Sequence, residues 1–518
     1  MKYISVLTVC AFLLLVAPAL VAGTGFGTAR VGYVFLDETG NQSVNQPTFN
    51  DYEGLALSLN KFRYMFDNGM LARMDLNRIS LNNRNLTGSI MKPGLFGVDI
   101  YNNQYRRFYD FDGNTFTRRA QTGVQAWVMP NKYVTVSGGG NGIGLCGEMA
   151  DLFDPVLPAA PYKVDYGQTA YNGGIRFNKD GRMFQARYEH VAFTDNYNSD
   201  RDQTRFSIKL DAYFPVPKYE DKIILSGGFR RFETEFDVNK FGIRSNMAWG
   251  AARINLPHNF SVKYSFLFDR TASDSDYVAT DNIINAGYLT YTWPAQAGLT
   301  FGYQYDINDD YLDEVKANTF YFSGWWKPVM HFELRGEHGM RSEDVKAGSR
   351  LIGNQDFNRF KFSVKYRGDQ VKFAKVSFEG TRRENDQIGS DVDYNRFGVD
   401  FSADLKGYAD FSGGYSYSNG EYTNSEEMFE FHDHTVYGDL MAKEYYNFTA
   451  GFGATYYRSK RDLDVESFTL RFSGIYKLSS GYSLEAIYNV NNFDDFLVRD
   501  RYYTANIVEI NISKDISM

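Results

Sequence analysis

Cysteine is nearly missing from this chain of 518 residues: there are two, Cys10 and Cys146. Cys10 sits in an N-terminal apolar run that processing would remove, so one thiol remains and no internal disulfide framework is possible. No Cys-x-x-Cys-His occurs, which excludes covalent attachment of c-type haem by the chain itself, so no cofactor of its own is expected. Proline is scarce, at 12 residues, and no proline- or glycine-rich seam divides the sequence into domains. Beyond the N-terminus there is no run of about 18 apolar residues, which excludes a later transmembrane helix. The net charge is −8, without a basic tract, so nucleic acid is not expected as a partner. No Ser-His-Asp or paired-carboxylate arrangement stands out, and the chain reads as non-catalytic.

The N-terminus reads as a secretory signal over residues 1–22. Lys2 supplies the positive region, Ile4 to Val16 the apolar run, and Ala17, Ala19, Ala22 and Gly23 the small residues around a cleavage point. Export with a single thiol and no spanning helix leaves a periplasmic, secreted or outer-membrane destination.

What the sequence has in abundance is alternation. In Arg205–Phe214, the positions Phe206, Ile208, Leu210, Ala212 and Phe214 are apolar, while Arg205, Ser207, Lys209 and Asp211 lie between them. The same period of two runs through Phe260–Phe268, Phe360–Tyr366, Phe397–Leu405 and Phe468–Gly474. Period two means strands with one apolar and one polar face. Short turn signals such as Asp67-Asn-Gly69, Lys179-Asp-Gly181 and Trp293-Pro294 alternate with longer acidic stretches, Asn308–Glu314 and Glu384–Asp393. This is the grammar of an all-β, antiparallel transmembrane barrel with short periplasmic turns and long extracellular loops, in the outer membrane of a Gram-negative cell and solvated by its lipid. Counting between markers gives about 24 to 26 strands over 23–518. A soluble sandwich or propeller is the competing fold, and an adhesive or purely structural barrel a competing role.

Parity assigns the two faces. Lipid-facing Lys or Arg costs roughly 2–4 kcal/mol at mid-bilayer, so Arg205, Lys209, Asp211, Lys263, Lys361, Lys365, Lys375, Glu379 and Arg471 are expected to line the lumen. Trp127, Trp293 and Trp326 each precede a proline-containing turn and are expected at the membrane interface. His432-Asp-His434 places two imidazoles on one strand face, a spacing that suits a metal or a solvated rim equally.

About 22 strands are usually plugged, so a wider barrel calls for an occupant. The segments 82–116 and 140–169 are the two candidates to fold inward or over the lumen, with 82–116 read alternatively as a further wall hairpin through Asp112-Gly113 that brings the count to about 26. The second begins in Gly138–Gly147, whose Gly142-x-Gly144-x-x-Gly147 matches a dinucleotide fingerprint in letters only. Pro155, Pro158 and Pro161 leave no room for the helix that such a site needs. Those glycines are expected instead to bend the chain at the rim.

The run Phe49-Asn-Asp-Tyr52-Glu-Gly54-Leu55 resembles the texture near the start of MtrB/PioB-type outer-membrane barrels, and Phe193–Asn196 and Ala297–Tyr305 are similar to later parts of that group. The resemblance implies a porin-like sheath that holds a multihaem c-type cytochrome for electron transfer, with periplasmic and surface multihaem cytochromes as partners. The Cys-x-x-Cys that some members carry near the mature N-terminus is absent. The alternative is a passive diffusion porin for small solutes, narrowed by inward-folded loops.

Overall fold

The computed structural model describes residues 23–518 except 45–49, 150–161, 220–221, 239, 275–278, 311–313, 347–354, 386–388, 425–426 and 518. The signal-peptide expectation for 1–22 therefore lies outside the described residues. So does 150–161, the middle of the second segment expected to fold over the lumen.

Twenty-six strands, numbered in chain order, form a single sheet. Each pairs antiparallel with its neighbours in sequence, and β1 (Gly23–Gly40) closes against β26 (Tyr502–Ser517) from Phe26↔Ser517 to Gly40↔Tyr503. Closure is what the bilayer demands, because an open sheet edge would leave N–H and C=O groups unpaired in hydrocarbon. An even strand number puts both ends of the barrel chain on one side. Among the described residues no helix is long and apolar enough to cross a membrane. The chain is an outer-membrane β-barrel, as the alternation implied.

The register sorts side chains into rows that run around the wall. Val262, Leu289, Phe301 and Phe322 are successive register partners on four neighbouring strands. Phe301 is 56% and Phe322 39% exposed. So large a band of bare aromatic and aliphatic surface fits lipid and not water. The alternate row through Lys263 takes in Arg253 and Tyr288, and faces the lumen.

Turn chemistry matches the hairpins. Asp180 and Gly181 both have positive φ, 50° and 74°, as a two-residue hairpin turn requires. The acidic stretches are mostly strand: β15 (Ala297–Asp310) runs through Asn308, β16 (Glu314–Trp326) starts at Glu314, and β19 (Phe373–Asn385) ends beyond Glu384. Cross-strand bonding carries these charges past the apolar band as extensions of the wall.

Of the two internal segments, 82–116 takes the wall-hairpin reading, and 140–169 is wall on both sides of 150–161. Most of 82–116 is wall, in β4 (Asn85–Lys92) and β5 (Phe96–Phe108). Gly138–Gly147 lies inside β7 (Val134–Met149), laddered on one side to β6 (Phe116–Asn131) and on the other to β8 (Tyr162–Lys179). Of these glycines only Gly147 has positive φ, so the run is extended and makes no bend. A side chain at Gly139 would meet the Val124 carbonyl at 2.3 Å, whereas Gly142 has open space.

One part of the wall is incomplete. β3 (Leu71–Asn77) and β4 are short, and β3 meets β2 (Gly54–Phe66) only between Leu59 and Met65. Residues 50–53 and 78–84 fill the space above them. Ile79 N–H donates to the Leu57 carbonyl, and Gln104 N–H to that of Arg84. Leu57 N–H donates to Ser80 Oγ at 3.1 Å, and Arg106 N–H to the Asn50 side chain at 2.7 Å. Leu81 packs with Val34, Ala56 and Ile507, and Tyr52 lies against the same group.

Candidate ligand-binding face of the lumen

The densest lumenal charge lies across β17 (Phe332–Lys346), β18 (Gln355–Tyr366), β19, β20 (Ser390–Leu405) and β21 (Ala409–Thr423). Register builds it in three rows. Glu333, Lys365, Lys375 and Asp400 form one; Arg335, Ser363, Ser377, Gly398 and Ser416 the next; Glu337, Lys361, Glu379, Arg396 and Ser418 the third. They line one concave surface of about 520 Å³. Alternation explains the placement, since the intervening Phe362, Val364, Val376 and Phe378 take the lipid side.

Glu379 accepts from Arg359 at 2.7 Å and pairs with Lys361 at 3.2 Å. Glu333 pairs with Arg335 at 3.5 Å and Lys327 at 3.6 Å. Asp400 accepts from the Tyr437 hydroxyl at 2.7 Å. Among the described residues Glu379, Glu333 and Asp400 are thus engaged and Glu337 is not, while Lys365, Lys375 and Arg396 have no ion pair within 4 Å. Lys365 and Lys375 face each other directly across the ladder, a like-charge pairing that destabilises the sheet unless an anion lies between. The face can hold an anionic or zwitterionic group.

Four of the nine lumenal candidates, Lys361, Lys365, Lys375 and Glu379, therefore converge here. Arg205, Lys209 and Asp211 lie together on β10 (Gln203–Pro215), where Lys209 and Asp211 pair at 3.5 Å. Lys263 stands 5.8 Å from the Tyr288 ring, and Arg471 is opposite Gly453 and Asn489. Sequence reading missed Glu333, Arg335 and Glu337, which the alternation Phe332-Glu-Leu-Arg-Gly-Glu337 would have yielded.

The tryptophans divide. Trp293 and Trp326 are 56% and 53% exposed on the lipid face. Trp127 departs from the interfacial expectation: its register partners are Gly97 and Ser137, and the exposed Val124 and Val128 take the opposite face. Trp127, Trp249 and Trp325 each cover a glycine on the neighbouring strand, Gly97, Gly228 and Gly298, whose added Cβ would come within 2.5 Å of the indole nitrogen. Glycine opposite an aromatic lets the ring lie flat against the wall.

His432 is committed to protein partners, Nδ1 2.8 Å from the Tyr417 hydroxyl and Nε2 2.7 Å from Glu430. His434 Nδ1 is 2.9 Å from the Tyr415 hydroxyl. Among the described residues no group of three ligands is placed to hold a metal.

No protein-family profile matches the chain, and no curated protein matches it. Solved structures do. A double mutant of the ferric enterobactin receptor PfeA from Pseudomonas aeruginosa matches with a TM-score of 0.53 at 8% identity, over 96% of this chain and 80% of that one. PfeA in complex with BCV-L6 matches with 0.52 at 10% identity, over 96% and 82%. The siderophore receptor PirA from Pseudomonas aeruginosa matches with 0.49 at 9% identity, over 95% and 80%. At such identities the likeness is one of fold.

These matches correct the resemblance drawn from Phe49–Leu55. The structures that the chain resembles are siderophore receptors, not MtrB/PioB-type barrels. The sheath for a multihaem cytochrome, the periplasmic and surface cytochromes as partners, and the passive diffusion porin are withdrawn with it. Within the motif, Asn50 and Asp51 bond Arg106 to complete the wall and Gly54 opens β2, so its described residues serve the barrel itself.

Proposed function

We propose that the chain is the wall of an outer-membrane transport protein that recognises a bulky, charged solute of the metal-chelate class. The observation that carries this reading is the concave lumenal face of β17–β21, where among the described residues Lys365, Lys375 and Arg396 form no ion pair and Glu333, Glu379 and Asp400 are held by other partners. Strand number supports it. A circular barrel of 26 strands is roughly 50 Å across between backbones, from about 4.8 Å per strand and about 40° of tilt. Such a lumen cannot sieve small solutes by diameter, so selectivity must come from groups on its wall. The fold neighbours that bind siderophores agree with a solute of this size. On this reading the chain carries no cofactor of its own, and any metal is cargo.

Ferric chelates quench tryptophan, and Trp249 and Trp325 both face the lumen, so titration of the detergent-solubilised barrel with ferric catecholate and hydroxamate chelates reads binding directly. Binding should be saturable and weakened at least tenfold in Lys365→Gln/Lys375→Gln. Absence of saturable quenching by any charged chelate, together with unimpaired growth of a deletion strain on those chelates, would sink the proposal.

A further inference from the structure

A second lumenal feature lies away from that face, on β9 (Arg182–Asp195), β10 and β11 (Ile223–Phe236). Lys209 is the direct register partner of Arg187 on one side and of Arg230 on the other. Three cations therefore stand abreast on consecutive strands, about 5 Å apart. Their face is the lumenal one, because Ile208 and Leu210, with Tyr188, Ala186 and Phe229 among their partners, take the other; Arg231, opposite Ile208 there, is paired with Glu233 at 3.2 Å.

The surroundings do not cancel this charge. Asp211 pairs with Lys209 at 3.5 Å, and Glu189 lies one step along from Arg187. Neither carboxylate stands between two of the cations, and among the described residues no ion pair within 4 Å is formed by Arg187 or Arg230. Arg187 lies across Gly174, where an added Cβ would be 3.3 Å from its Cγ, and Arg230 has Phe232 at 5.9 Å. Next along the wall, the Trp249 indole N–H sits over Gly228. The Arg187 fork meets the neutral carboxamide oxygen of Gln185, which an anion would displace; with the Arg230 fork on the other side of the ammonium, the row matches the oxygens of phosphate or carboxylate groups. Like charges in direct register otherwise cost stability, so the row makes physical sense when an anion bridges it.

We infer that Arg187, Lys209 and Arg230 form a lumenal oxyanion-binding row that takes a solute bearing several carboxylate or phosphate groups. The inference rests on the lumen being a solute path and adds the sign and chemistry of the solute.

The test uses the full chain in detergent with citrate and pyrophosphate as probes, followed by calorimetry and by the temperature of barrel unfolding. Both probes, or one of them, should bind the wild type and raise its unfolding temperature, while uncharged sucrose does neither. Citrate alone identifies carboxylate, and pyrophosphate alone phosphate. Arg187→Gln/Arg230→Gln should weaken binding at least tenfold and, without probe, unfold at or above the wild-type temperature because the repulsion is gone. Arg187→Lys/Arg230→Lys should retain charge and partial binding, and Lys263→Gln, on β13 outside both faces, should leave it unchanged. An intact wild-type barrel that binds neither probe overturns the row, as does a glutamine double variant that binds like the wild type. If chelate quenching and uptake are absent but this row binds, the function reading fails and the row stands. The reverse result removes the row alone.

Discussion

At the residue scale, the lumen is shaped by glycines as much as by charges. Gly298 faces Trp325, and a methyl there would lie 2.3 Å from the indole nitrogen. Gly298→Ala should lose about 1–3 kcal/mol through overpacking and shift Trp emission as the ring is driven off the wall. Gly336→Ala, with nothing within 4 Å, should be neutral or slightly stabilising. Equal unfolding temperatures for the two variants would refute this account of the lumenal tryptophans. Arg78 is a second such position, since it joins Asp51 at 3.4 Å and Glu509 at 3.1 Å. Arg78→Ala strands two carboxylates, and should cost about 3 kcal/mol or more if they stay in place.

At the element scale, the weak part of the barrel is the short pair β3–β4. Above it the continuous ladder gives way to side chains that cap single backbone groups. Ser80→Ala frees the Leu57 N–H at an exposed bond and should cost under about 1 kcal/mol, whereas Asn50→Ala leaves the half-buried Arg106 N–H without its partner, at about 1–3 kcal/mol. Hydrogen exchange should then accelerate at Leu57 and Arg106 respectively, and not in β18 or β19. The same patch has a pH signature. Burial holds the Asp51 carboxyl above the usual carboxylate range, against the pull of Arg78. A raised folded value means that Asp51 contributes stability fully present in acid and lost as pH rises through that value. Compared with Asp51→Asn, the wild type should therefore lose unfolding temperature as pH rises above the usual carboxylate range. A flat difference would show that this carboxyl does not limit the patch.

At the scale of the whole molecule, the two faces of the wall obey opposite solvents. Phe301→Arg on the lipid face should cost roughly 2–4 kcal/mol in refolding into bilayers, if it sits near the midplane. Lys263→Val on the lumenal face should cost far less, because a lumen is wet. Comparable losses from the two would mean that the faces have been assigned the wrong way round. Width belongs to this scale too: no single strand records it, and it follows only when β1 meets β26.

How much was legible follows from range. Alternation is local, with a period of two residues, so Phe206 to Phe214 declared a strand and the split of its side chains between two faces without any partner. The acidic stretches misled about loop length because charge says only that a segment is wet, and a strand that extends past the bilayer is as wet as a loop. The seven-residue resemblance at Phe49–Leu55 misled because it matched letters whose role here is to complete the wall. The glycine run misled because glycine marks either a bend or close packing, and only the ladders on both sides of β7 decided between them. Register lay wholly beyond local pattern. That Lys365 faces Lys375, that Arg187, Lys209 and Arg230 stand abreast, and that Trp127 turns inward over Gly97 depend on which strand residues hydrogen-bond across the wall. The sequence by itself determined a two-faced, membrane-spanning all-β chain, because burial in lipid acts on every second residue. Only closure of the 26 strands decided which charges meet, because neighbours in a sheet are set by pairing between distant segments and not by order along the chain.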